Sequence, residues 1–334
     1  MSSLPLKPDN SRFISPKPGH WLPGWVRGNE RLLAVILLLL VLLIVGAFVS
    51  ERFRSLGNLQ NVYEQSVGLA LVSLGQTVVI LTGGIDLSVG SMISLLSVLT
   101  SGLIDGNPAH VTAVICGILV LGVLVGAFNG LLTIWLGVHP LIVTLGMGAI
   151  LQGLTLMYTS DSAGSVPPSF EYFAYGRIGV LPAGATATLL TFLLAAFFLG
   201  RVRQGRYIYA IGGDQHAATL LGLPVRRVLV GVYAFSGLCA AITALYVVSR
   251  FGVGQPYTGA NYTLASITPV VIGGTMLAGG RGGVIGTLLG VYLVAVLNNL
   301  LNFMDISSHY QLVIQGVIII IAVSAFTGRR EREV

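Results

Sequence analysis

The chain has 334 residues, of which 18 are Lys or Arg and 12 are Asp or Glu. Charged types make up 9%, against about 25% in an ordinary soluble domain, while apolar types reach 54%. A soluble globule needs charge to cover its surface, so soluble enzymes, nucleic-acid binders and disordered proteins are excluded and a polytopic membrane protein remains.

The net charge of +6 does not describe a nucleic-acid surface, because the basic residues sit in short runs between apolar stretches. Residues 1–31 carry Pro5, Pro8, Pro16, Pro18 and Pro23 and read as a mobile cytoplasmic tail. The apolar run Leu32–Val49 follows this long basic segment and lacks a small-x-small cleavage site, so it reads as a retained first span and not a signal peptide. At about 20 apolar residues per span, ten segments qualify: 32–50, 63–82, 87–105, 110–136, 140–159, 185–200, 228–250, 263–280, 283–301 and 309–327. The expectation is an all-α membrane protein of about ten transmembrane helices. One transmembrane domain spans 32–327, and a cytoplasmic tail covers 328–334. With both termini cytoplasmic, 14 of the 18 cations fall inside and only Arg52, Arg54, Arg177 and Arg250 outside, as the positive-inside rule requires.

Two junctions, at 83–86 and 281–282, are only a few Gly-rich residues long. Each is either a tight helical hairpin or one broken, re-entrant element. The first, Gly83-Gly84-Ile85-Asp86-Leu87-Ser88-Val89-Gly90, shares a GGxxLxxG pattern with Gly273–Gly280, and Gly-interrupted apolar segments in two halves of a chain point to a transporter repeat. Gly117, Gly122, Gly126 and Gly130 recur at intervals of four or five, the spacing that lets helices in lipid approach closely. In the outside loop 160–184, Phe170, Tyr172, Phe173 and Tyr175 suit the membrane–water interface.

Chemistry is marked as much by absence. No Lys follows residue 17, so the chain carries no phosphate-binding G-x-x-x-x-G-K-[ST] loop. The five histidines are scattered and imply no metal site, and both cysteines, Cys116 and Cys239, lie in apolar runs as core residues. Ionisable groups inside the membrane are the default functional pointers, and only Asp86 and Glu64 qualify. Asp86 precedes a helical run, where a carboxylate either caps the helix N-terminus or contacts a ligand. The longest internal polar stretch is 201–227. Within it, Asp214 caps a short helix 215–221, Gly222 stops it and Pro224 follows.

Four stretches carry a family resemblance. Thr82–Ser91 resembles the GGIDLSVGS signature of the ribose-type (monosaccharide) ABC importer permeases. Pro140–Gly146, Gly205–Gly213 with Ala217, Ala218 and Gly222, and Val271–Thr287 resemble that family's further motifs in order, over about residues 57–325. The resemblance implies a permease subunit of the bacterial inner (plasma) membrane, working with a second permease copy or paralogue and with membrane lipid around it. A cytoplasmic ABC ATPase would use ATP and Mg, none of it bound by this chain, and a periplasmic or secreted sugar-binding protein would deliver solute. It also implies that 201–227 docks on the ATPase through Gly205, Arg206, Tyr209, Gly212, Gly213, Asp214, Ala217, Ala218 and Gly222, and that Gly83, Gly84, Asp86, Ser88 and Gly90 form the signature break. Candidate path groups are Gln76, Asn129, Thr144, Gln152, Asn298 and Gln315, each of which can equally join two helices by a hydrogen bond. The chain departs from the family at Thr263–Ile267, where relatives often carry two acids, and at Thr268-Pro269. A non-sugar solute such as an autoinducer-2-like molecule therefore stays open, as does an ion-coupled carrier working alone.

Overall fold

The computed structural model describes residues 30–307, with 309–311, 313–314 and 316–317. Most of both tails, most of the expected span 309–327, and Gln315 lie outside the described residues. Among the described residues the helices of six residues or more are, in chain order, α1 (Glu30–Val49), α2 (Leu56–Leu81), α3 (Val89–Ile104), α4 (Val111–Leu136), α5 (Pro140–Tyr158), α6 (Ala183–Arg201), α7 (Arg203–Gly213), α8 (Gln215–Leu220), α9 (Val225–Phe251), α10 (Tyr262–Ile272) and α11 (Val284–Phe303). Seven of them (α1, α2, α4, α5, α6, α9 and α11) are long and apolar enough to cross a membrane, and α3 and α10 are shorter apolar helices.

The sequence punctuates these helices. Ser55 caps α2 by accepting the Asn58 N–H, and His139 Nδ1 accepts the Leu141 N–H at the start of α5, where Pro140 occupies the first helical position. The expected span 263–280 is not one helix. Pro269 lacks the N–H a helix interior needs, and Gly273-Gly274 ends α10 with Gly274 at φ +88°. At about 1.5 Å per residue the 11-residue α10 and the 16-residue α3 fall short of the ~30 Å hydrocarbon thickness.

Helices α2, α3, α9 and α11 form the centre, where Leu74, Ile80, Met92, Ile93, Leu96 and Leu293 are fully buried. The most extensive helix pair is α4 with α9. Three of the four spaced glycines make it: a Cβ at Gly122 would meet Gly237 O, at Gly126 Tyr233 O, and at Gly130 the Val230 Cα at 2.9 Å, whereas Gly117 faces open space. In a membrane this contact is driven by close packing, which only a missing side chain permits. The outer faces of α1, α4, α5 and α6 present Leu37, Phe48, Trp135, Ile142, Leu194 and Phe197 outward, as lipid-facing surfaces do.

The two Gly-rich junctions differ. α10 and α11 pack on each other as a hairpin, crossing where Gly273 and Gly286 meet backbone to backbone. α2 and α3 pack on α9 and α3 on α5, rather than together, so the first junction is a break between two separately packed helices. In the 160–184 loop, Tyr172, Phe173 and Tyr175 are exposed, but Phe170 is not an interface anchor. It is buried in the main core, and its carbonyl accepts the Ser249 hydroxyl at 2.7 Å.

Candidate functional site

The site grows from helix ends. α2 stops in a paired cap: Gly83 N–H donates to Ile80 O and Gly84 N–H to Val79 O, with Gly83 at φ +82°. α10 stops in the same way, Gly274 N–H donating to Val271 O and Thr275 N–H to Val270 O. The GGxxLxxG echo is thus a repeated cap, but its structural register is Gly83 on Gly274, one residue off the sequence match. Gly279, Gly280 and Gly282 continue this second break in left-handed backbone. The two breaks meet where Gly280 N–H donates to Leu81 O at 3.0 Å.

The extramembrane helix α7 joins them. A Cβ at Gly212 would strike the Leu81 carbonyl and come within 2.6 Å of Gly280 N, and one at Gly279 would lie 2.8 Å from both Gly212 O and Gly83 N. The Tyr209 hydroxyl donates to Gly282 O at 3.1 Å, and its burial raises the phenol pKa, which keeps that proton in place. Three glycine pairs far apart in sequence therefore touch backbone to backbone. Gly205 packs on the Phe198 carbonyl and Leu199, which permits the sharp bend from α6 into α7.

Helix α8 is held by Asp214 Oδ1, which accepts the Ala217 N–H at 2.9 Å, and by a paired cap at Gly222 (φ +74°). Ala218 is buried among Ile211, Val225 and Leu229, whereas Arg206, Gly213 and Ala217 are exposed. Two residues that sequence reading passed over, Leu220 and Leu221, are 76% and 80% exposed at the tip of α8. Their signal was an apolar pair inside the longest polar stretch.

Asp86 lies fully buried just past the first break. It is not itself the cap residue of α3; that position is Ser88, whose hydroxyl turns back onto the carboxylate. Asp86 Oδ1 accepts the Ser88 N–H and Oγ, and Oδ2 accepts the Ser236 hydroxyl at 2.9 Å. Asn129 Nδ2 donates to Ser88 Oγ at 2.8 Å, and Thr144 Oγ1 donates to Ile85 O and accepts the Leu87 N–H. Asp86, Ser88, Asn129 and Thr144 are thus brought together, with Ser236 as a member that nothing in its sequence surroundings marked. Tyr233 Oη and Asn129 Oδ1 are buried without partners beside them, and Gln76 is buried with neither amide atom paired, on the side of α2 that packs against α10. Asn298 is half-buried on α11, apart from this cluster.

A third feature was not legible in the sequence. After Gly252 (φ +74°) ends α9, residues 252–261 run without helix alongside α3. Gly254 N–H donates to Ser101 Oγ, Ser97 Oγ to Gln255 O, and Gly259 N–H to Ser94 Oγ. Gln152 Nε2 donates to Pro256 O at 3.0 Å, and Gly259 seats on the Gly90 carbonyl. Ser94, Ser97 and Ser101 form one face of α3 and supply the partners that lipid cannot. Gln255, Tyr257 and Asn261 stay exposed along this segment. Thr263, at the departure from the family pattern, packs with its hydroxyl against Gly90. Replacing Ser94 and Ser101 together by Ala should cost about 1–3 kcal/mol for each orphaned N–H, read as a lower unfolding temperature in detergent.

A bundle of long apolar helices, two of them interrupted by glycine caps and tied to an extramembrane helix, defines a membrane permease. The family described as branched-chain amino acid transport system / permease component matches residues 58–323, and the chain belongs to it. The chain is 35% identical to the ribose import permease protein of Escherichia coli (strain K12) over 309 residues, covering 91% of this chain and 95% of that one. It is 39% identical to the ribose import permease protein of Bacillus subtilis (strain 168) over 288 residues, covering 85% and 89%. The fructose import permease protein of Rhizobium meliloti is 34% identical over 314 residues, covering 91% and 87%. No solved structure matches the chain.

Proposed function

We propose that the chain is the permease subunit of an ATP-driven importer that moves a monosaccharide or related small polyol across the bacterial inner membrane. The relatives named above, two for ribose and one for fructose, support the solute class. The observation that carries the mechanism is the three-way backbone contact of Leu81–Gly83, Gly212–Gly213 and Gly279–Gly280.

In this reading Leu220 and Leu221 seat in a groove of a cytoplasmic ATPase that uses ATP and Mg. Movement of that subunit displaces α8 and α7. Through Gly212 the displacement reaches both helix breaks at once, because backbone against backbone has no side chain to absorb it. α3 then carries the motion from Asp86 to the non-helical run 252–261. Gln255, Tyr257 and Asn261 offer hydrogen bonds to a passing hydroxylated solute, with a second permease copy or paralogue completing the path and a secreted binding protein delivering the solute. Polar backbone at membrane depth is tolerated where it lines a cavity, which supports this placement.

The test is uptake in proteoliposomes. The chain with its ATPase, ATP and binding protein should accumulate sugar, and the chain alone should not. Accumulation by the chain alone on an ion gradient sinks the proposal. Leu220→Asp with Leu221→Asp should remove two leucines that docking would bury, worth about 1.5–3 kcal/mol each, and weaken ATPase co-purification about a hundredfold or more, with membrane insertion intact. Unchanged co-purification rejects the docking role of α8.

A further inference from the structure

A groove lies away from the breaks, between α6 and α9, with α7 closing one end. Its volume is about 950 Å³ and its wall is almost wholly apolar, built from Leu194 and Phe198 on α6 and Val228, Val232 and Phe235 on α9. It opens outward on the face where Leu194 is 69% exposed and Phe197 63%. Gly231 forms part of its floor, and a Cβ there would meet nothing within 4 Å. The cavity is therefore a gap the protein does not fill. Along α9 it runs from Arg227 to Phe235, eight residues or about 12 Å, close to the depth of one leaflet of a ~30 Å core.

Charge in the wall sits only at the end near α7, where Arg227 lines the groove. Arg203 is not part of the wall, but its guanidinium donates to the Tyr207 hydroxyl at 3.2 Å. Tyr207 also lines the wall. Among the described residues neither arginine has a carboxylate within 4 Å, since the one ion pair is Arg54–Glu51. No acidic residue lines the groove. A long apolar slot open to the lipid side, with unpaired cations at its polar end, complements one kind of molecule.

We propose that this groove holds an acyl chain of an anionic phospholipid whose phosphate pairs with Arg227, with Arg203 as a second cation at the mouth. Basic pockets between membrane helices recognise such headgroups, and each cation near the surface adds roughly 1 kcal/mol, about a fivefold preference. The bound lipid braces α6 and α9 at the level where α7 leaves the membrane. The site is independent of which solute the protein carries.

The test uses the full chain in detergent, mixed with phosphatidylglycerol or phosphatidylcholine of equal acyl length and read by native mass spectrometry. Wild type should retain phosphatidylglycerol about fivefold or more over phosphatidylcholine. Arg227→Gln should lower that ratio about fivefold, and Arg227→Gln with Arg203→Gln should bring it close to one, with total bound lipid little changed. Gly231→Phe should remove bound lipid of both kinds at an unchanged unfolding temperature, and Gly231→Val, a smaller filling, serves if the Phe variant unfolds. Equal retention of the two lipids by wild type overturns the proposal. So does full displacement by glycerol phosphate alone, which would mark an anion site without a chain. If Gly231→Phe keeps its lipid but breaks association with a second copy or with the ATPase, the groove belongs to a protein and the proposal also fails.

Discussion

Gly212→Ala should abolish coupled uptake, by tenfold or more, while Gly213→Ala leaves it nearly unchanged. The two glycines are adjacent and look equivalent in the sequence, yet a Cβ at Gly212 would strike Leu81 O, while one at Gly213 meets nothing within 4 Å. One methyl at Gly212 therefore pushes α7 off both helix breaks and opens the contact through which ATPase movement would reach α3. Overpacking of this kind costs about 1–3 kcal/mol, enough to shift the joint without unfolding a bundle whose core lies elsewhere. The measurement is ATP hydrolysis and sugar uptake in the same proteoliposomes. Hydrolysis should continue while uptake falls. Equal uptake by the two variants, or loss of both activities with loss of the folded protein, removes the joint from the mechanism.

Asp86→Leu should leave no folded permease, whereas Asp86→Asn should keep the fold and transport independent of ion gradients. The carboxylate is fully buried and accepts three hydrogen bonds, from the Ser88 N–H, the Ser88 hydroxyl and the Ser236 hydroxyl. Leucine orphans all three donors, at about 1–3 kcal/mol each, which approaches the whole stability of an ordinary domain. Asparagine keeps one oxygen for Ser88 and can donate to Ser236 Oγ once that hydroxyl rotates. The checks are the unfolding temperature and uptake with an ion gradient imposed or collapsed. An Asp86→Asn protein that folds but loses a gradient-driven uptake shown by wild type would make Asp86 an ion-coupling group instead of a structural anchor.

Much of the membrane architecture was legible in the chain because hydropathy, proline and glycine act locally. The polar stretch 201–227 shows why capping signals read well: Asp214, Gly222 and Pro224 each act within a few residues of their own position, and α8 lies between them. The span expected at 263–280 shows where composition misleads. Its apolar content is high, but Pro269 and the left-handed Gly274, Gly279 and Gly280 cost helix geometry that hydropathy does not register. The candidate path residues divide on the same ground. Thr144 and Gln152 proved to hold non-helical backbone, bonding to Ile85 O and Pro256 O, and a polar residue in an apolar helix gives no hint of which backbone it will meet.

The sequence alone determined membrane residence, through scarce charge, and the bounds of α8, through Asp214, Gly222 and Pro224, whose backbone preferences need no distant partner. It also marked Asp86 as the acid to explain. Only the tertiary structure decided that Gly83, Gly212 and Gly280 share one contact, that Ser236 completes the Asp86 network from 150 residues away, and that the serines of α3 carry the run 252–261. Each of these depends on two backbones approaching closely, and that distance is set by how whole helices pack rather than by any local preference.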